Sequence, residues 1–219
     1  MSKNVAFTIC AKNYLGLAQI LEKSLKKYNP ELDFYIIVAD EFLKSDHELL
    51  DANNDLENQF ILTAKDILDI SPDKWIELSF KYNLTEFCTS IKSKCFSYFF
   101  NSKKYDKAVF FDPDIMIFNS LNGIYDKLNN YSMIMTPHII DIDASSNNLS
   151  DNGMISTGVF NLGFLALKNS DSSAKMLKWW NFRLYDYCYI DFPKGYFTDQ
   201  KWMDFLPGYF KSDEVLVIH

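Results

Sequence analysis

The chain opens with two apolar runs separated by an amphipathic stretch. Val5 to Cys10 is a short continuous apolar run of the kind that forms a buried strand, and Phe34 to Ala39 is a second one. Residues 15–28 place apolar side chains at helical spacing before Asn29-Pro30 ends the pattern. A strand, a helix and a strand in this order require a right-handed crossover and a parallel strand pair. The pattern therefore predicts an α/β sheet.

Helical and strand-like patterns continue to alternate along the rest of the chain. We expect helices at residues 41–52, 62–69, 85–100 and 170–189. We expect strands at residues 108–111, 132–135, 158–167 and 215–218. Residues 141–157 are rich in Ser, Asn and Asp, which predicts a long exposed loop. The sequence has no internal repeat, so we expect one domain over residues 1–219, and the apolar strand at its end leads us to expect that a C-terminal portion is missing.

An excess of acidic side chains narrows the classes of ligand. The chain has 22 Lys and Arg against 29 Asp and Glu, a net charge of -7, and a sequence pI near 5.0. Such a surface repels phosphate polymers on average, which argues against a nucleic-acid partner. A small phosphorylated ligand still fits if a divalent cation lies between it and local carboxylates.

Cysteine content and hydropathy indicate the compartment. The four cysteines form no C-x-x-C pair and are too sparse for a disulfide scaffold, so we expect a reduced, cytoplasmic setting. No run approaches the roughly 18 apolar residues of a transmembrane helix, so we expect no transmembrane segment. The aromatic content of 16% leaves a peripheral contact with a membrane open.

An Asp-x-Asp triplet follows the apolar strand at 108–111. In extended backbone the side chains of Asp112 and Asp114 would point to one face, roughly 6.5 Å apart, and Pro113 restricts Asp112 to extended geometry. Mg²⁺ or Mn²⁺ takes oxygen ligands, and Mg²⁺ uses one or two protein carboxylates with substrate phosphates completing its shell. A turn with two solvated carboxylates is the alternative, and it is the favoured interpretation of the second triplet, Asp141-Ile142-Asp143, which opens a polar loop. Open α/β sheets bind ligands at strand carboxyl ends, which favours Asp112 and Asp114 as the metal ligands.

Five segments in chain order carry a family resemblance. They are Ala11-Lys12-Asn13-Tyr14, Val38-Ala39-Asp40, Asp112-Pro113-Asp114, Phe160-Asn161-Leu162-Gly163 and Thr198-Asp199-Gln200. Together they resemble nucleotide-sugar-dependent glycosyltransferases of the GT-A fold, most of all the glycogenin and lipopolysaccharide galactosyltransferase group known as family eight. The resemblance implies a single α/β domain with a mixed, mostly parallel central sheet flanked by helices.

The resemblance assigns a donor-binding role to several positions near strand ends. Ala11, Asn13 and Tyr14 match positions that line the nucleotide base and ribose, and a tyrosine can stack on a flat base. Asp40 matches a carboxylate that accepts hydrogen bonds from base or ribose. For both Asn13 and Asp40, capping a helix N-terminus is an equally good interpretation. Lys92 resembles a basic position that meets the donor phosphates or sugar, although an exposed helix lysine is the commoner case.

Positions near the reacting sugar come from the last two segments. Asn161 and Gly163 resemble an Asn-x-Gly that holds the donor sugar, and Asp199 and Gln200 match the first two residues of the family's Asp-Gln-Asp. Lys201 stands at the third position, which leaves the stereochemistry in doubt. The family's third metal ligand is a histidine further along, but His219 follows Gln200 closely, and an ordinary strand-end residue is the favoured interpretation.

The reaction implied by the resemblance is transfer of a sugar from a nucleoside diphosphate sugar, expected to be a UDP-sugar, to a hydroxyl acceptor. The acceptor is a saccharide, a lipid-linked glycan or a protein, and the cofactor is Mn²⁺ or Mg²⁺ bound by Asp112 and Asp114. Retention of configuration is favoured, with Asn161, Asp199 or Gln200 stabilising the cationic sugar. Inversion would require a carboxylate base near the acceptor.

Three other functions remain as alternatives of different weight. A catalytically degenerate sugar-nucleotide-binding domain is the main one. A sugar-phosphate nucleotidyltransferase needs a glycine-rich loop after the first strand, and here no glycine occurs before Gly16. A haloacid-dehalogenase phosphatase needs Gly-Thr soon after the motif, where this chain has Ile115-Met116.

Overall fold

The computed structural model describes residues 2–41, 60–140 and 151–218. Within these residues seven strands form the central sheet in the order β3-β2-β1-β4-β6-β5-β9. Their bounds are β1 Asn4–Cys10, β2 Asp33–Val38, β3 Phe60–Thr63, β4 Lys107–Phe111, β5 Met133–Pro137, β6 Phe160–Lys168 and β9 Val215–Val217. A short antiparallel pair, β7 Ile190–Asp191 with β8 Tyr196–Phe197, lies outside this sheet. Strand β6 runs antiparallel to β4 and β5, and the other neighbouring pairs are parallel, which confirms the mixed, mostly parallel α/β sheet.

Helices cover both faces of the sheet. They are α1 Leu15–Tyr28, α2 Ala64–Leu68, α3 Pro72–Lys81, α4 Leu84–Ser90, α5 Lys92–Asn101, α6 Asn122–Asn130, α7 Asp151–Thr157, α8 Asp171–Tyr187 and α9 Leu206–Tyr209, with 3-10 turns at Lys12–Tyr14, Phe192–Lys194 and Lys201–Phe205. Along β1, Phe7 is buried in the core under α5 and α8, whereas Ala6 is buried in the core under α1 and α6. Because both faces of β1 are covered, its sequence is a continuous apolar run rather than an alternating one.

The order of the strands creates a crevice between β1 and β4. The chain proceeds outward from β1 through β2 to β3 and then returns to the other side of β1 as β4. In open α/β sheets such a reversal of direction places the ligand site at the carboxyl ends of the strands beside it. The segments after Cys10 and after Phe111 meet at this point.

Two helix predictions need correction in their boundaries. The expected helix at 62–69 begins only at Ala64, because Phe60–Thr63 pairs with β2 and the Thr63 hydroxyl caps the helix by accepting from Asp66 N–H at 3.1 Å. The expected single helix at 85–100 is two helices that meet at Ile91. The hydroxyls of Thr89 and Ser90 donate to carbonyls of the preceding turn, and such bonds compete with a regular continuation of the helix.

The expected loop at 141–157 was wrong for its last seven residues, which form α7. This helix ends at Gly158, whose φ of +108° and N–H bond to the Met154 carbonyl are typical of a glycine after a helix. Helices α3 and α6 were not predicted. Most of the helix expected at 41–52, the triplet Asp141-Ile142-Asp143, and His219 lie outside the described residues.

Candidate functional site

The carboxyl ends of β1 and β2 form one wall of the crevice. The chain leaves β1 through buried Ala11 into the 3-10 turn Lys12–Tyr14, and an Asp40 carboxylate oxygen accepts from Lys12 N–H at 2.9 Å. This bond fixes the turn to the end of β2. Asn13 and Tyr14 are exposed on that turn, and the N-cap residue of α1 is Tyr14 without a side-chain bond. The N-cap interpretation of Asn13 was therefore wrong.

The Asp-x-Asp triplet lies in a turn. Asp112 directly follows β4, and Ile115 N–H donates to the Asp112 carbonyl at 3.1 Å, which closes a turn over Pro113 and Asp114. The turn takes Asp114 out of the extended backbone predicted for the triplet, so that prediction was wrong for Asp114. The turn leaves Asp112 partly buried and Asp114 exposed, both at the carboxyl end of β4.

Gly163 brings the β6 backbone against the Asp112 carboxylate. The Gly163 carbonyl accepts from Asp112 N–H at 2.8 Å, and Gly163 N–H donates to Asn161 Oδ1 at 2.9 Å. A Cβ at position 163 would lie 2.9 Å from Asp112 Oδ2 and 3.0 Å from Asn161 Oδ1. The position therefore requires glycine in order to keep these two side chains together.

A buried ion pair lies beneath this contact. Lys92 Nζ is 2.6 Å from Asp199 Oδ2, and each side chain is 3% exposed. Lys92 Nζ also donates to the Leu162 carbonyl at 3.0 Å and lies 4.1 Å from the centre of the Phe110 ring. The alternative of an exposed helix lysine was wrong, because Lys92 joins β6 and the Asp199 segment to the core.

The segment around Asp199 has an uncommon backbone. Thr198 has φ +44°, a left-handed conformation that is costly for a β-branched residue, and its hydroxyl donates to Asp199 Oδ1 at 3.2 Å. The Trp180 indole N–H donates to the Asp199 carbonyl at 3.2 Å. These contacts hold the carboxylate towards Lys92.

Gln200 and Lys201 connect the same segment to α7. Gln200 Nε2 donates to the Thr157 carbonyl at 2.9 Å, which leaves its Oε1 as an oriented acceptor. Lys201 Nζ pairs with Asp204 Oδ2 at 2.9 Å and bonds the Ile155 carbonyl. Lys201 thus serves a structural contact at the position where the resemblance implies an aspartate.

Electrostatics distinguish Asp112 from its neighbours. Burial raises the pKa of the Asp112 carboxyl from 3.8 to about 6, the Lys92 ammonium opposes this shift, and the charges of Asp199 and Asp114 add to it. Burial, and after it the nearby negative charges, therefore makes ionisation of Asp112 less favourable than in water. A bound cation would reverse this preference.

The donor atoms present suit a cation that shares its ligands with a substrate. No group of three or more His, Cys, Asp or Glu residues that could hold a metal exists in the described part of the chain. Two carboxylates at a strand end, one of them partly desolvated, match a hard divalent ion whose other ligands are phosphate oxygens and water. Asp112 and Asp114 therefore fit Mn²⁺ or Mg²⁺ in combination with a diphosphate.

Two further residues belong to this region and were missed from the sequence. The Cys88 thiol lies near enough for the Asp40, Lys92 and Asp112 charges to affect its pKa, which burial raises to about 12. Asp204 bonds both Lys201 and the Val159 N–H, at 2.9 Å each. The three-residue spacing of Lys201 and Asp204 was the only available signal, and nothing in the sequence marked Cys88.

The sequence has distant relatives. No protein-family model matches it. A relative is the uncharacterized protein YfnF of Bacillus subtilis (strain 168), which is 24% identical over 213 residues that cover 94% of this chain. The chain spans 66% of the length of that relative.

Solved structures share the fold. The galactosyltransferase LgtC, in complex with donor and acceptor sugar analogs, superposes with a TM-score of 0.55 at 17% identity over 99% of this chain and 73% of that one. Mouse xyloside xylosyltransferase 1 superposes with a TM-score of 0.57 at 11% identity, over 98% of this chain and 85% of that one. A 4-diphosphocytidyl-2C-methyl-D-erythritol synthase from Anaerococcus prevotii superposes with a TM-score of 0.53 at 10% identity, over 100% of this chain and 89% of that one. The chain therefore has the α/β fold of the GT-A nucleotide-sugar transferases, a fold that enzymes with other names share.

None of the helices in the described residues is both long enough and apolar enough to cross a membrane.

Proposed function

We propose that this chain is a metal-dependent glycosyltransferase domain, most similar in its motifs to family eight, that moves a sugar from a nucleoside diphosphate sugar to a hydroxyl acceptor. One observation carries the proposal. The Asp112 carboxylate lies against the Gly163 backbone and near enough to the buried Lys92–Asp199 pair for both charges to affect its pKa, at the point where the sheet reverses direction. This arrangement suits a pyrophosphate bridged by a cation, with a sugar beside it.

The nucleoside would occupy the wall formed by β1 and β2. Exposed Tyr14 offers a ring for stacking, and exposed Asn13 offers amide hydrogen bonds. Asp40 uses one oxygen to hold the Lys12 N–H, so its role is both to shape the turn at Ala11 and to accept from the ribose or base with its second oxygen. A uridine is the expected base.

The diphosphate would lie over the turn at the end of β4. Asp112 and Asp114 would hold Mn²⁺ or Mg²⁺, which supplies positive charge to the leaving diphosphate when bound. Gly163 keeps the Asp112 and Asn161 side chains packed against the β6 backbone, which would fix both of them beside the donor. Lys92, fixed by Asp199 and the Leu162 carbonyl, contributes a buried positive charge beneath the phosphates.

The reacting sugar would lie between Asn161 and Gln200. The Asn161 side chain is oriented by its bond to Gly163 N–H, and the Gln200 amide is oriented by the Thr157 carbonyl. Both then present fixed dipoles to the sugar, and oriented dipoles stabilise a developing cationic centre. Asp199 adds negative charge from below. This arrangement suits retention of configuration, and the acceptor would be a saccharide, a lipid-linked glycan or a protein.

Ligand-dependent melting tests the proposal. We expect a UDP-sugar at about 100 times its Kd to stabilise the native state by about 2.7 kcal/mol, and to raise the melting temperature by about 5–10 °C, in the presence of Mn²⁺. Asp114→Asn should abolish the Mn²⁺-dependent part of this rise and leave the melting temperature of the free protein unchanged, because Asp114 is exposed. The matched control is Asp213→Asn, an exposed aspartate in the loop before β9.

The same experiment separates the alternatives. An equal Mn²⁺-dependent rise in Asp114→Asn and in the unchanged protein would contradict the metal assignment. Stabilisation by UDP-sugar without any metal-dependent hydrolysis of it would indicate the degenerate binding domain. Stabilisation by a nucleoside triphosphate and a sugar phosphate, but not by a nucleotide sugar, would indicate a nucleotidyltransferase.

A further inference from the structure

Apolar side chains are exposed along α1 and along the segment that follows the Asp-x-Asp turn. Leu17 is 41% exposed, Ile20 47%, Met116 49% and Phe118 74%. We call these four residues the α1 face. Ile117 N–H donates to the Ser24 hydroxyl at 2.9 Å, which places the segment beside the helix turn that contains Ile20 and Ser24.

A second bond keeps the two elements together. Leu121 N–H donates to Asn29 Oδ1 at 2.8 Å, one residue beyond the end of α1. The segment therefore runs along α1 from Ser24 to Asn29. The exposed side chains on either side of Ile117 lie next to the outer side of the helix and form one surface with it.

The exposed charged side chains of α1 are all positive, and exposed Asp114 and Glu31 lie just outside α1 and residues 115–121. In α1 the lysines are Lys23, Lys26 and Lys27, and the acidic residue Glu22 is 1% exposed. Residues 115–121 carry no charged side chain. Lys26 bonds the Leu32 carbonyl at 2.6 Å, whereas Lys23 and Lys27 are exposed beside Ile20. In a chain of net charge -7, this is a cationic and apolar face on an acidic protein.

Helix α3 shows what an exposed apolar pair looks like without this charge pattern. Ile76 is 53% exposed and Phe80 88%, but exposed Asp73 and Glu77 stand beside them on the same helix. Hydrophobic exposure alone therefore does not distinguish the α1 face. The combination of protruding apolar side chains with lysines, and with no exposed acid in α1 or residues 115–121, does.

We propose that the α1 face binds the surface of a bilayer that contains anionic lipids. Leu17, Ile20 and Phe118 would enter the headgroup region, and Lys23 and Lys27 would contact the lipid phosphates. A helix with aliphatic and aromatic side chains on its outer side and lysines beside them is typical of interfacial binding, and the contact should weaken with salt.

The α1 face lies next to the crevice between β1 and β4. The 3-10 turn Lys12–Tyr14 leads directly into α1, and Phe118 lies four residues after Asp114, so the face borders the mouth of the crevice. If the proposed function holds, membrane binding would present the donor site to an acceptor carried by a lipid. The binding itself does not depend on that function.

Sedimentation with vesicles tests the proposal on the full chain. We expect binding to phosphatidylcholine vesicles that contain phosphatidylserine, little binding to phosphatidylcholine alone, and release at raised ionic strength. Phe118→Ser and the double variant Lys23→Glu/Lys27→Glu should each weaken binding about tenfold. The matched controls are Phe80→Ser and Lys94→Glu/Lys178→Glu, which change exposed residues elsewhere and should bind as the unchanged chain does.

A fluorescence measurement shows whether the face enters the bilayer. Phe118→Trp should add emission that lipids with brominated acyl chains quench, and Phe80→Trp should not. Absence of binding to anionic vesicles, or equal losses in the Phe118 and Phe80 variants, would overturn the proposal. Self-association that Phe118→Ser abolishes, without vesicle binding, would assign the face to a second copy instead.

The proposed function can fail separately. Phe118→Ser should leave stabilisation by UDP-sugar and Mn²⁺ in vesicle-free solution unchanged, because Phe118 is exposed and outside the crevice. Loss of nucleotide-sugar binding with intact vesicle binding would contradict the glycosyltransferase and support the membrane contact.

Discussion

Asp112 and Asp199 lie in one site but in opposite electrostatic situations. Asp199 is 3% exposed and has its own cation, Lys92, at 2.6 Å. Asp112 is partly buried, and among the described residues no cationic nitrogen lies within ion-pair distance of its carboxylate. The charge of Asp199, in what we call the floor of the site, is neutralised by Lys92. The charge of Asp112, in the turn, has no such partner among the described residues.

The charge of Asp199 is therefore fixed by the fold, whereas the charge of Asp112 is free to exchange its counterion. The Lys92–Asp199 pair is held by the Leu162 carbonyl and by Thr198, so it belongs to the folded framework. The turn at Asp112 carries a cost that a divalent ion from solution would remove. A permanent cation next to Asp112 would compete with the metal of the proposed function.

The largest effect on stability is expected from removing the cation that neutralises Asp199. Lys92→Met would leave the Asp199 carboxylate buried without its cation, and removing one partner of a buried pair costs about 3–5 kcal/mol. Urea unfolding should measure this loss of stability. The control Lys94→Met changes an exposed lysine on the same helix and should stay within about 0.5 kcal/mol.

If Lys92→Met does not fold, a double variant that removes both charges of the pair still tests the prediction. Lys92→Met/Asp199→Leu removes both charges and should recover part of the lost stability, because no buried charge is left alone. If Lys92→Met and Lys94→Met lost equal stability, Asp199 would have another source of compensation.

The general shape of the fold followed from local sequence patterns. The β1-α1-β2 unit was predicted closely because its buried strands are continuous apolar runs and Asn29-Pro30 marks the helix end. The division of residues 84–101 into two helices was not, because the apolar spacing continues through Ile91 and only the hydroxyls of Thr89 and Ser90 interrupt it.

Residues of the candidate site could be predicted from the sequence, but their contacts could not. The position of Asp112 at a strand end could be predicted from periodicity, whereas the turn at Pro113 depends on the bond that Ile115 makes. Lys92 was predicted to meet the donor phosphates or sugar, with an exposed helix lysine as the alternative, and no local pattern indicated its burial. Its partner Asp199 lies in a distant part of the chain, and no local pattern predicts such a pairing.

A smaller loss of stability is expected when the Asp112 carboxylate is displaced and the Lys92–Asp199 pair is left intact. Gly163→Ala places a Cβ 2.9 Å from Asp112 Oδ2, so the carboxylate must shift while the Lys92–Asp199 pair remains. We expect a loss of about 1–2 kcal/mol in stability from this overpacking. The Mn²⁺-dependent rise in melting temperature should fall, and titration with Mn²⁺ and UDP-sugar measures it.

Gly123→Ala provides the matched control. No atom lies within 4 Å of a Cβ at that position in α6, and alanine favours a helix over glycine by about 0.5–1 kcal/mol. The control should therefore be neutral or more stable and keep its response to Mn²⁺. An unchanged response in Gly163→Ala would mean that the Asp112 carboxylate does not need its present position.

The smallest effect concerns the cost of the Asp112 charge itself. Because the pKa of Asp112 is about 6 in the folded protein and 3.8 when unfolded, the folded state binds the proton more tightly. This proton linkage stabilises the fold fully below pH 3.8 and is lost as the pH rises through about 6. Asp112→Asn should therefore be more stable than the unchanged chain by about 1 kcal/mol above that pH, a value reduced for the partial exposure of the side chain.

Urea unfolding of the metal-free protein in a chelator, from acid to neutral pH, measures this linkage. The difference between the unchanged chain and Asp112→Asn should grow as the pH rises, and Mn²⁺ with a nucleoside diphosphate should reverse it, because the ion binds the ionised carboxylate. Asp114→Asn changes an exposed carboxylate and should show no such growth. If both variants followed the same pH dependence, the contrast between a self-neutralised floor and an uncompensated turn would be wrong, and Asp112 would be as well solvated as Asp114.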